Sequence, residues 1–210
     1  MFPGPDDGGR DVSVQPPSAS PQAEDASGPV CWQVRGSKLE LVRGDITLER
    51  MDAIVNAANS ELAGGGGVDG AIHRRAGPQL ARECTEIRRT QGPCPAGQAV
   101  LTSGGELAAR WVIHTVGPRW KGGSHGEAEV LRSAYMESLK LADQKKLHSV
   151  SFPSVSTGAY GYPVEEAARV ALGACRDYLT SGSGIALVRF VLFDDRTYVA
   201  YAGALAQLTA

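Results

Sequence analysis

The chain has 210 residues, of which 42% are hydrophobic and 21% charged, so it is long enough for one sizeable globular domain. Its net charge of −2 at pH 7 argues against a protein that coats nucleic acid, because such proteins usually present a basic face. A small anionic ligand remains compatible with this charge, since backbone N–H groups and a helix N-terminus bind anions without net positive charge.

The first segment, residues 1–29, is rich in Pro, Gly, Ser and Asp and has almost no large apolar side chains. It cannot bury enough apolar surface to offset the entropy lost on ordering. We therefore expect a disordered extension over residues 1–29 and one folded domain over residues 30–210.

From Val30 onward, short apolar runs alternate with helical periodicities. Strands are predicted, in chain order, at VCWQV, KLELVRG, DAIVNA, AVLTSGG, RWVIHTVGP, SVSFPSV and ALVRFVLF. Helices are predicted from near Asp69 to Arg89 with a break at Gly77-Pro78, from Glu127 to about Lys146, over Val164–Leu179, and from about Arg196 to Leu208. This alternation predicts an α/β fold with a mostly parallel sheet between helical layers, in which a ligand binds beyond the carboxyl ends of the strands.

The four cysteines show neither a C-x-x-C pair nor a His/Cys spacing typical of zinc. We interpret them as reduced thiols, mostly small core residues. The chain has no apolar run near the roughly 20 residues of a membrane span and no signal-peptide pattern. These features predict a soluble cytoplasmic protein with no metal site and no membrane partner.

The segment NAANSELAGGGGVDG, residues 56–70, carries four consecutive glycines ahead of a predicted helix. Gly65-x-Gly67-x-x-Gly70 matches the dinucleotide fingerprint only formally, because NAANSELA separates the glycines from the preceding strand. A Walker A sequence and the G-x-S-x-G elbow are both absent. Two interpretations stay open: a mobile surface turn, or a backbone site whose N–H groups converge on an anion in front of a helix dipole.

A second loop with the same setting favours the anion site. The segment STGAYGYP, residues 156–163, also follows a predicted strand and precedes a helix. Two such loops at the strand ends of one sheet can close on a diphosphate from both sides. Two aspartates near these loops have more than one interpretation. Asp69 can be a helix N-cap, and Asp45 can cap a helix or stabilise a turn. An Asp facing a phosphate is otherwise typical of a group that handles water, since like charges repel.

Four segments together resemble the macrodomain family, and within it the MacroD-type hydrolases. They are GDIT, DAIVNAANSELAGGGGVDGAIHRRAG, VIHTVGPRW and SFPSVSTGAYGYP, and the resemblance spans roughly Leu39 to Leu208 in order. It implies a three-layer α/β/α sandwich with a mixed, mostly parallel central sheet. It also implies that ADP-ribose binds in a cleft along the strand ends. Residues 1–29 have no counterpart in this core.

The resemblance assigns the two ends of the ligand. It implies that Asp45 accepts a hydrogen bond from the adenine amino group beside Ile46, and that Phe193 stacks on adenine. The apolar surroundings of Phe193 by themselves favour a core aromatic instead. The segments implied to enclose the diphosphate and the distal ribose are Gly65, Gly66, Gly67 and Val68 in one loop and Ser156, Thr157, Gly158, Ala159, Tyr160 and Gly161 in the other, with Tyr160 packed against the ribose.

The catalytic assignments also follow from the resemblance. Asn59 is implied to bind a hydroxyl of the distal ribose, and Asp69 to act on the hydrolytic water. His73, one turn after Asp69, is given a supporting role, with a structural histidine as an equal alternative. We interpret His114 as a residue of a buried strand and Asn56 as an amide that shapes the loop.

The resemblance and the site residues together predict a hydrolase of ester-linked ADP-ribose, acting on O-acetyl-ADP-ribose or on mono-ADP-ribosylated Asp and Glu of proteins. An ester is an activated bond, so this chemistry needs no metal, cofactor or covalent intermediate. The alternative is a non-catalytic reader of ADP-ribose; the pair Asn59 and Asp69 favours the hydrolase. A binder of single-stranded RNA or poly(ADP-ribose) has little support from 6% aromatic content. The expected partners are ADP-ribose, its esters and mono-ADP-ribosylated proteins, and we expect a monomer.

Overall fold

The structure of the protein is a computed structural model that describes Met1 and residues 30–209. The predicted disordered extension lies, apart from Met1, outside the described residues, so its boundary with the folded domain stays a prediction. None of the helices in the described part of the chain is long and apolar enough to cross a membrane.

Seven strands and five α-helices form over residues 30–209. The strands are β1 (Val30–Val34), β2 (Ser37–Arg43), β3 (Ala53–Ala57), β4 (Ala99–Ser103), β5 (Trp111–Thr115), β6 (Ser149–Phe152) and β7 (Leu187–Leu192). The helices are α1 (Gly67–Ala76), α2 (Pro78–Gln91), α3 (Glu127–Gln144), α4 (Val164–Thr180) and α5 (Asp195–Thr209). A short 3₁₀ helix, Ile46–Leu48, follows β2 and is not anticipated by the sequence patterns.

The strands form one mixed sheet in the order β1-β2-β7-β6-β3-β5-β4. The four interior pairings are parallel, and the two edge pairings, β1 with β2 and β4 with β5, are antiparallel. The fold prediction of a mixed, mostly parallel sheet is confirmed. The carboxyl ends of β2, β7, β6, β3 and β5 therefore meet along one edge of the sheet, where the loops that carry the site begin.

Helices cover both faces of the sheet, and alternate strand residues supply the two cores. On β3, Ile54 packs with α1 and α2, whereas its neighbour Val55 packs with α3, α4 and α5. On β5, Val112 and Ile113 divide in the same way. Because successive side chains of a strand point to opposite faces, this alternation produces the three-layer α/β/α sandwich.

The predicted break in the first helix separates α1 from α2. Gly77 lies between them with φ of +74°, a left-handed conformation that favours glycine. A Cβ added there would also lie 2.7 Å from Oε1 of Glu106. Pro78 then opens α2, where the N–H that proline lacks has no helical partner to lose.

Candidate active site

The glycine loop, residues 58–67, connects β3 to α1, includes the first residue of the helix and depends on its glycines. Gly64 and Gly67 have φ of +75° and +58°, which an L side chain rarely adopts. A Cβ on Gly70 in the first turn of α1 would lie only 2.3 Å from the carbonyl oxygen of Gly65. The backbone of the loop and the start of the helix thus approach closely, which favours a shaped anion site over a mobile surface turn.

The N-terminus of α1 is open to an anion. Gly66 is the N-cap, and no side chain of residues 30–209 caps the helix there. The N–H groups of the first turn therefore lack the usual side-chain acceptor, and the helix dipole favours negative charge beside them. Asp69 is the third residue of α1, so the alternative that it serves as the N-cap is wrong.

The side chain of Asp69 turns inward and is only 6% exposed. Its Oδ1 accepts a hydrogen bond from Nδ2 of Asn56 at 2.7 Å and lies 3.4 Å from Nε2 of His73. Burial raises the pKa of the carboxyl, and the hydrogen bond from Asn56 and the nearby His73 offset this only in part. A buried carboxylate with a raised pKa beside a cleft is typical of a group that takes part in proton transfer.

Asn59 shapes the glycine loop and also reaches Asp69. Its Nδ2 donates to the carbonyl of Gly64 at 2.8 Å and lies 3.4 Å from Oδ2 of Asp69, while its Oδ1 accepts from the N–H of Ala63 at 3.3 Å. Asn59 is half-buried, so a face of the amide remains accessible from the cleft. A hydroxyl held by Asn59 would therefore lie near the Asp69 carboxylate.

The half-buried His73 lies beside the buried Cys84 and His114. Their ligand atoms all fall within 4.8 Å of one another, which makes this the metal-capable cluster found within the described part of the chain. The donor set fits a metal poorly, however. Nε2 of His114 is already 2.9 Å from Oγ1 of Thr102, and burial raises the pKa of the Cys84 thiol to about 12, which disfavours the thiolate that a metal needs.

The serine loop, residues 153–163, follows β6 and faces the glycine loop. Ser156 adopts φ of +69°, a strained conformation for a residue with a side chain, of the kind that accumulates at functional sites. Gly117, after β5, allows this loop to approach, because a Cβ on Gly117 would lie 2.1 Å from Oγ of Ser156. The N–H of Trp120 donates to the carbonyl of Tyr160 at 2.8 Å and ties the two segments together.

Arg119 lies beside Tyr160 at the same place. The guanidinium carbon of Arg119 is 4.4 Å from the centre of the Tyr160 ring, within the range of a cation–π contact. Sequence patterns do not identify Arg119. The segment VGPR directly follows a predicted strand, which places Arg119 at a strand end. Whether that strand end lies near the other loops depends on the strand order, which the local pattern does not give.

A cavity of about 400 Å³ lies between the two loops. It brings together many of the predicted residues: Asn59, Gly65, Gly66, Gly67, Val68, Asp69, Ser156, Gly158, Ala159 and Tyr160. It is also lined by residues that sequence reasoning did not select: Ala57, Ala58, Gly117, Arg119, Ser154 and Val155. Five predicted ligand residues are not part of its lining: Asp45, Ile46, Thr157, Gly161 and Phe193.

Asp45 and Phe193 follow the adjacent parallel strands β2 and β7. Phe193 is 81% exposed, so the interpretation as a core aromatic is wrong. Asp45 caps the 3₁₀ helix, with Oδ1 accepting from N and Oγ1 of Thr47 at 2.9 and 2.8 Å, and Ile46 beside it is buried. An exposed aromatic ring and a carboxylate at neighbouring strand ends can together present a stacking surface and an acceptor to a base.

A family model, curated relatives and solved structures all match this chain and point to the same family. The model of the family described as "Macro domain" matches residues 55–171. A protein named O-acetyl-ADP-ribose deacetylase from Citrobacter rodentium is 49% identical over 171 residues, which cover 81% of this chain and 97% of the relative.

Solved structures show the same fold. The macrodomain of Oceanobacillus iheyensis with ADP has a TM-score of 0.84 and 44% identity, and the match covers 87% of this chain and 97% of that chain. The macrodomain of Trypanosoma brucei in complex with ADP-ribose has a TM-score of 0.74 and 43% identity, over 80% of this chain and 68% of that chain.

Proposed function

The chain belongs to the Macro domain family, and from this premise we propose that it is a hydrolase of ester-linked ADP-ribose that accepts O-acetyl-ADP-ribose. Relatives with this fold carry ADP or ADP-ribose in their solved structures, and a relative covered almost completely is named a deacetylase of O-acetyl-ADP-ribose. We further propose that the same cleft accepts ADP-ribose esters of protein Asp and Glu side chains, since these present the same ribose ester.

The observation that carries the proposal is the position of Asp69. Its buried carboxylate lies on the wall of the 400 Å³ cavity, directly behind the glycine loop. The diphosphate of the ligand would bind at the uncapped N-terminus of α1 and along the serine loop. In this proposal the distal ribose lies between Tyr160 and Asn59, within reach of Asp69.

In this proposal the residues of the chain position reactants rather than form a covalent intermediate. Asn59 holds a hydroxyl of the distal ribose, and Asp69 orients a water molecule and accepts its proton as the water attacks the ester. His73, 3.4 Å from Oδ1 of Asp69, stabilises the carboxylate before the proton arrives. Water adds and the ester C–O bond breaks, so the products are ADP-ribose and the free carboxylic acid.

The adenine end contributes binding energy rather than chemistry. Phe193 stacks on the base, and Asp45 accepts from its amino group beside Ile46. Thr157 and Gly161 complete the serine loop around the diphosphate and the ribose. These contacts hold the ester against the Asp69 water, and the residues that make them lie outside the lining of the cavity.

A reader module that binds ADP-ribose without turnover is the alternative, and the burial of Asp69 argues against it. Burial raises the pKa of this carboxyl, so the charged form is disfavoured in the folded protein. A binding module gains nothing from a carboxylate held beside a bound diphosphate, since like charges repel. A hydrolase needs such a group to accept a proton from water.

The proposal is tested by incubating the protein with O-acetyl-ADP-ribose and, separately, with a peptide mono-ADP-ribosylated on glutamate. We expect release of free ADP-ribose, detected by mass spectrometry, from both substrates. Reactions in ¹⁸O-labelled water identify the attacked carbon, because the label enters the carboxylic acid after attack on the carbonyl and ADP-ribose after attack on the ribose. Tight binding of ADP-ribose with no release from either ester would support the reader instead.

We propose that the protein acts as a monomer, because one chain supplies both loops of the cavity. A cytoplasmic location belongs to the same proposal. Cys84, Cys94 and Cys175 are buried thiols without a disulfide, which suits a reducing compartment.

A further inference from the structure

A series of buried polar side chains leads from Asp69 across three strands of the sheet. Asn56 on β3 lies opposite His114 on β5 in the strand register, and Thr102 on β4 lies opposite Val112, on the same face as His114. Asn56 and His114 are fully buried and Thr102 is 2% exposed. We call Asn56, His114 and Thr102 the strand relay.

The donors and acceptors of the strand relay determine the state of the histidine. An amide nitrogen only donates, so Nδ1 of His114, 3.1 Å from Nδ2 of Asn56, must accept and carries no proton. The proton of the neutral ring is then on Nε2 and faces Oγ1 of Thr102 at 2.9 Å. The Thr102 hydroxyl is able to accept it, because its own proton is donated to the carbonyl of Ser103 at 3.0 Å.

The contact with the Asp69 carboxylate gives the same orientation of the Asn56 amide as this tautomer requires. With Nδ2 bonded both to His114 and to Oδ1 of Asp69 at 2.7 Å, the amide supplies a donor to the carboxylate. The flipped amide would place its oxygen 2.7 Å from Oδ1 of Asp69, acceptor against acceptor, and the same oxygen would face the lone pair of Nδ1 of His114. Oδ1 of Asn56 has no partner among residues 30–209, so its orientation depends on the two nitrogen contacts.

We propose that His114 and Thr102 are positioning residues for Asp69, acting through Asn56. The Thr102 hydroxyl holds the Nε2–H tautomer of His114, this tautomer holds the Asn56 amide, and the amide stabilises the charged form of Asp69. The predicted effect on the reaction rate rests on the proposed hydrolase function, whereas the predicted tautomer of His114 does not.

Other ionisable groups face the strand relay from the helices. His73 on α1 lies near both Asp69 and His114, with ring centres 6.2 Å apart between the two histidines. Glu83 and Cys84 come from α2, where Sγ of Cys84 is 3.7 Å from Nε2 of His114, and Arg88 acts on Cys84. Burial and His73 nevertheless lower the pKa of His114 to about 3, so its ring stays neutral at the pH of the assays.

The first test measures the tautomer directly in the full chain. Long-range ¹H–¹⁵N NMR of His114 is recorded for the wild type and for Thr102→Val, which removes the acceptor at nearly constant volume. We expect the Nε2–H form in the wild type and a partial or complete shift to Nδ1–H in the variant, since the Cys84 sulfur is only a weak acceptor. The Nδ1–H form in the wild type, or an unchanged tautomer in Thr102→Val, would overturn the proposal.

The second test measures the rate of ADP-ribose release as a function of pH and follows the acid limb of this profile, where the rate falls as Asp69 is protonated. Loss of one hydrogen bond to the charged form raises a pKa by about one unit, so in Thr102→Val the acid limb should move to higher pH by about that amount. Thr102→Ser keeps the hydroxyl and should restore the wild-type profile. Thr115→Val is the matched control, because this buried β5 residue donates towards α3 and the opposite face of the sheet.

The outcomes of the kinetic test are distinct. An unshifted acid limb in Thr102→Val, or an equal loss of rate at every pH, would overturn the positioning role and leave Thr102 as a packing residue. A shift of the same size in Thr115→Val would also overturn it. If the wild type releases no ADP-ribose, the proposed hydrolase function fails, while the NMR measurement still decides whether the strand relay exists.

Discussion

Nδ2 of Asn56, near the end of a buried strand, lies 2.7 Å from Oδ1 of Asp69 in the first turn of α1. This contact joins the helix to the sheet at the edge where the cavity opens. The hydrogen bond from Asn56 and the nearby His73 do not fully replace the water that the carboxylate loses on burial, so the pKa of Asp69 stays raised. At Asp69, the proposed catalytic role therefore opposes the stability of the fold.

We predict that Asp69→Asn abolishes hydrolysis and stabilises the protein at pH 7. Loss of a positioned proton acceptor should lower the rate about 100-fold or more, while binding of ADP-ribose is largely kept. The carboxyl has a higher pKa in the folded than in the unfolded protein, so the stability it contributes is present at low pH and lost as pH rises through the folded pKa. A neutral amide avoids this loss, and Tm at pH 7 should rise.

Rates, calorimetric affinity and Tm are compared with those of Asp177→Asn, which makes the same change at a half-exposed site on α4. Equal loss of binding and rate in Asp69→Asn would instead identify a binding or structural residue. A lower Tm for Asp69→Asn would contradict the argument from burial.

Gly67→Glu should block the diphosphate site. The side chain adds bulk and negative charge at the N-terminus of α1, where the cavity wall is backbone, and ADP-ribose binding should fall below detection by calorimetry. Gly182→Glu is the matched control for backbone strain. Both glycines have positive φ and open space around a new Cβ, but Gly182 follows α4, away from the cavity. Unchanged affinity in Gly67→Glu would exclude the glycine loop from the site.

Phe193→Ala should weaken ADP-ribose without destabilising the fold. Stacking of a base on an aromatic ring contributes about 1–3 kcal/mol, and that contribution should be lost for ADP-ribose but not for ribose 5-phosphate, which has no base. A ring that is 81% exposed contributes little to the core, so Tm should not change. Val199→Ala, at another exposed apolar side chain, is the control for surface truncation. Equal effects on both ligands would remove the adenine role from Phe193.

Local patterns in the sequence suffice for the strands and α-helices of the fold and for the position of the glycine loop. Apolar periodicity locates the strands and helices because side-chain direction repeats every two or 3.6 residues. The end of an element is less certain: the run ALVRFVLF reads as one strand, yet β7 stops at Leu192 and leaves Phe193 exposed. The start of α1 two residues before Asp69 likewise turns a candidate cap into a buried acid.

Contacts between strands distant in the chain are beyond such patterns. Asn56 and His114 are 58 positions apart and meet only because β3 pairs with β5 in one register. From the sequence alone, Asn56 is interpreted as an amide that shapes the loop and His114 as a residue of a buried strand. Sequence patterns do not identify Arg119 for a similar reason, because its position over the Tyr160 ring requires β5 and β6 to flank β3.

Arg119→Ala should weaken ADP-ribose more than ADP. The guanidinium holds the Tyr160 ring at 4.4 Å, and a cation–π contact of this kind contributes about 0.5–1 kcal/mol at an exposed site. ADP has no distal ribose to pack on that ring, so its affinity should not change. Lys145→Ala removes a comparable contact, with Trp111 at 5.0 Å, and serves as the control. Equal weakening of ADP-ribose and ADP would assign Arg119 to the diphosphate rather than to the ribose end.

The buried His114 should make the stability of the protein depend on pH. Its pKa is lowered from 6.5 to about 3 in the folded protein, mainly by burial, so the unfolded chain takes up a proton that the folded chain rejects. The contribution of His114 to stability is therefore present above pH 6.5 and is lost as pH falls towards 3, by about 1.4 kcal/mol per pH unit.

In urea unfolding at pH 7 and at pH 5, the stability difference between the wild type and His114→Gln should narrow at the lower pH. His125→Gln, at an exposed position before α3, controls for loss of a histidine as such. A difference between the wild type and His114→Gln that is the same at both pH values would contradict a neutral His114 in the folded state.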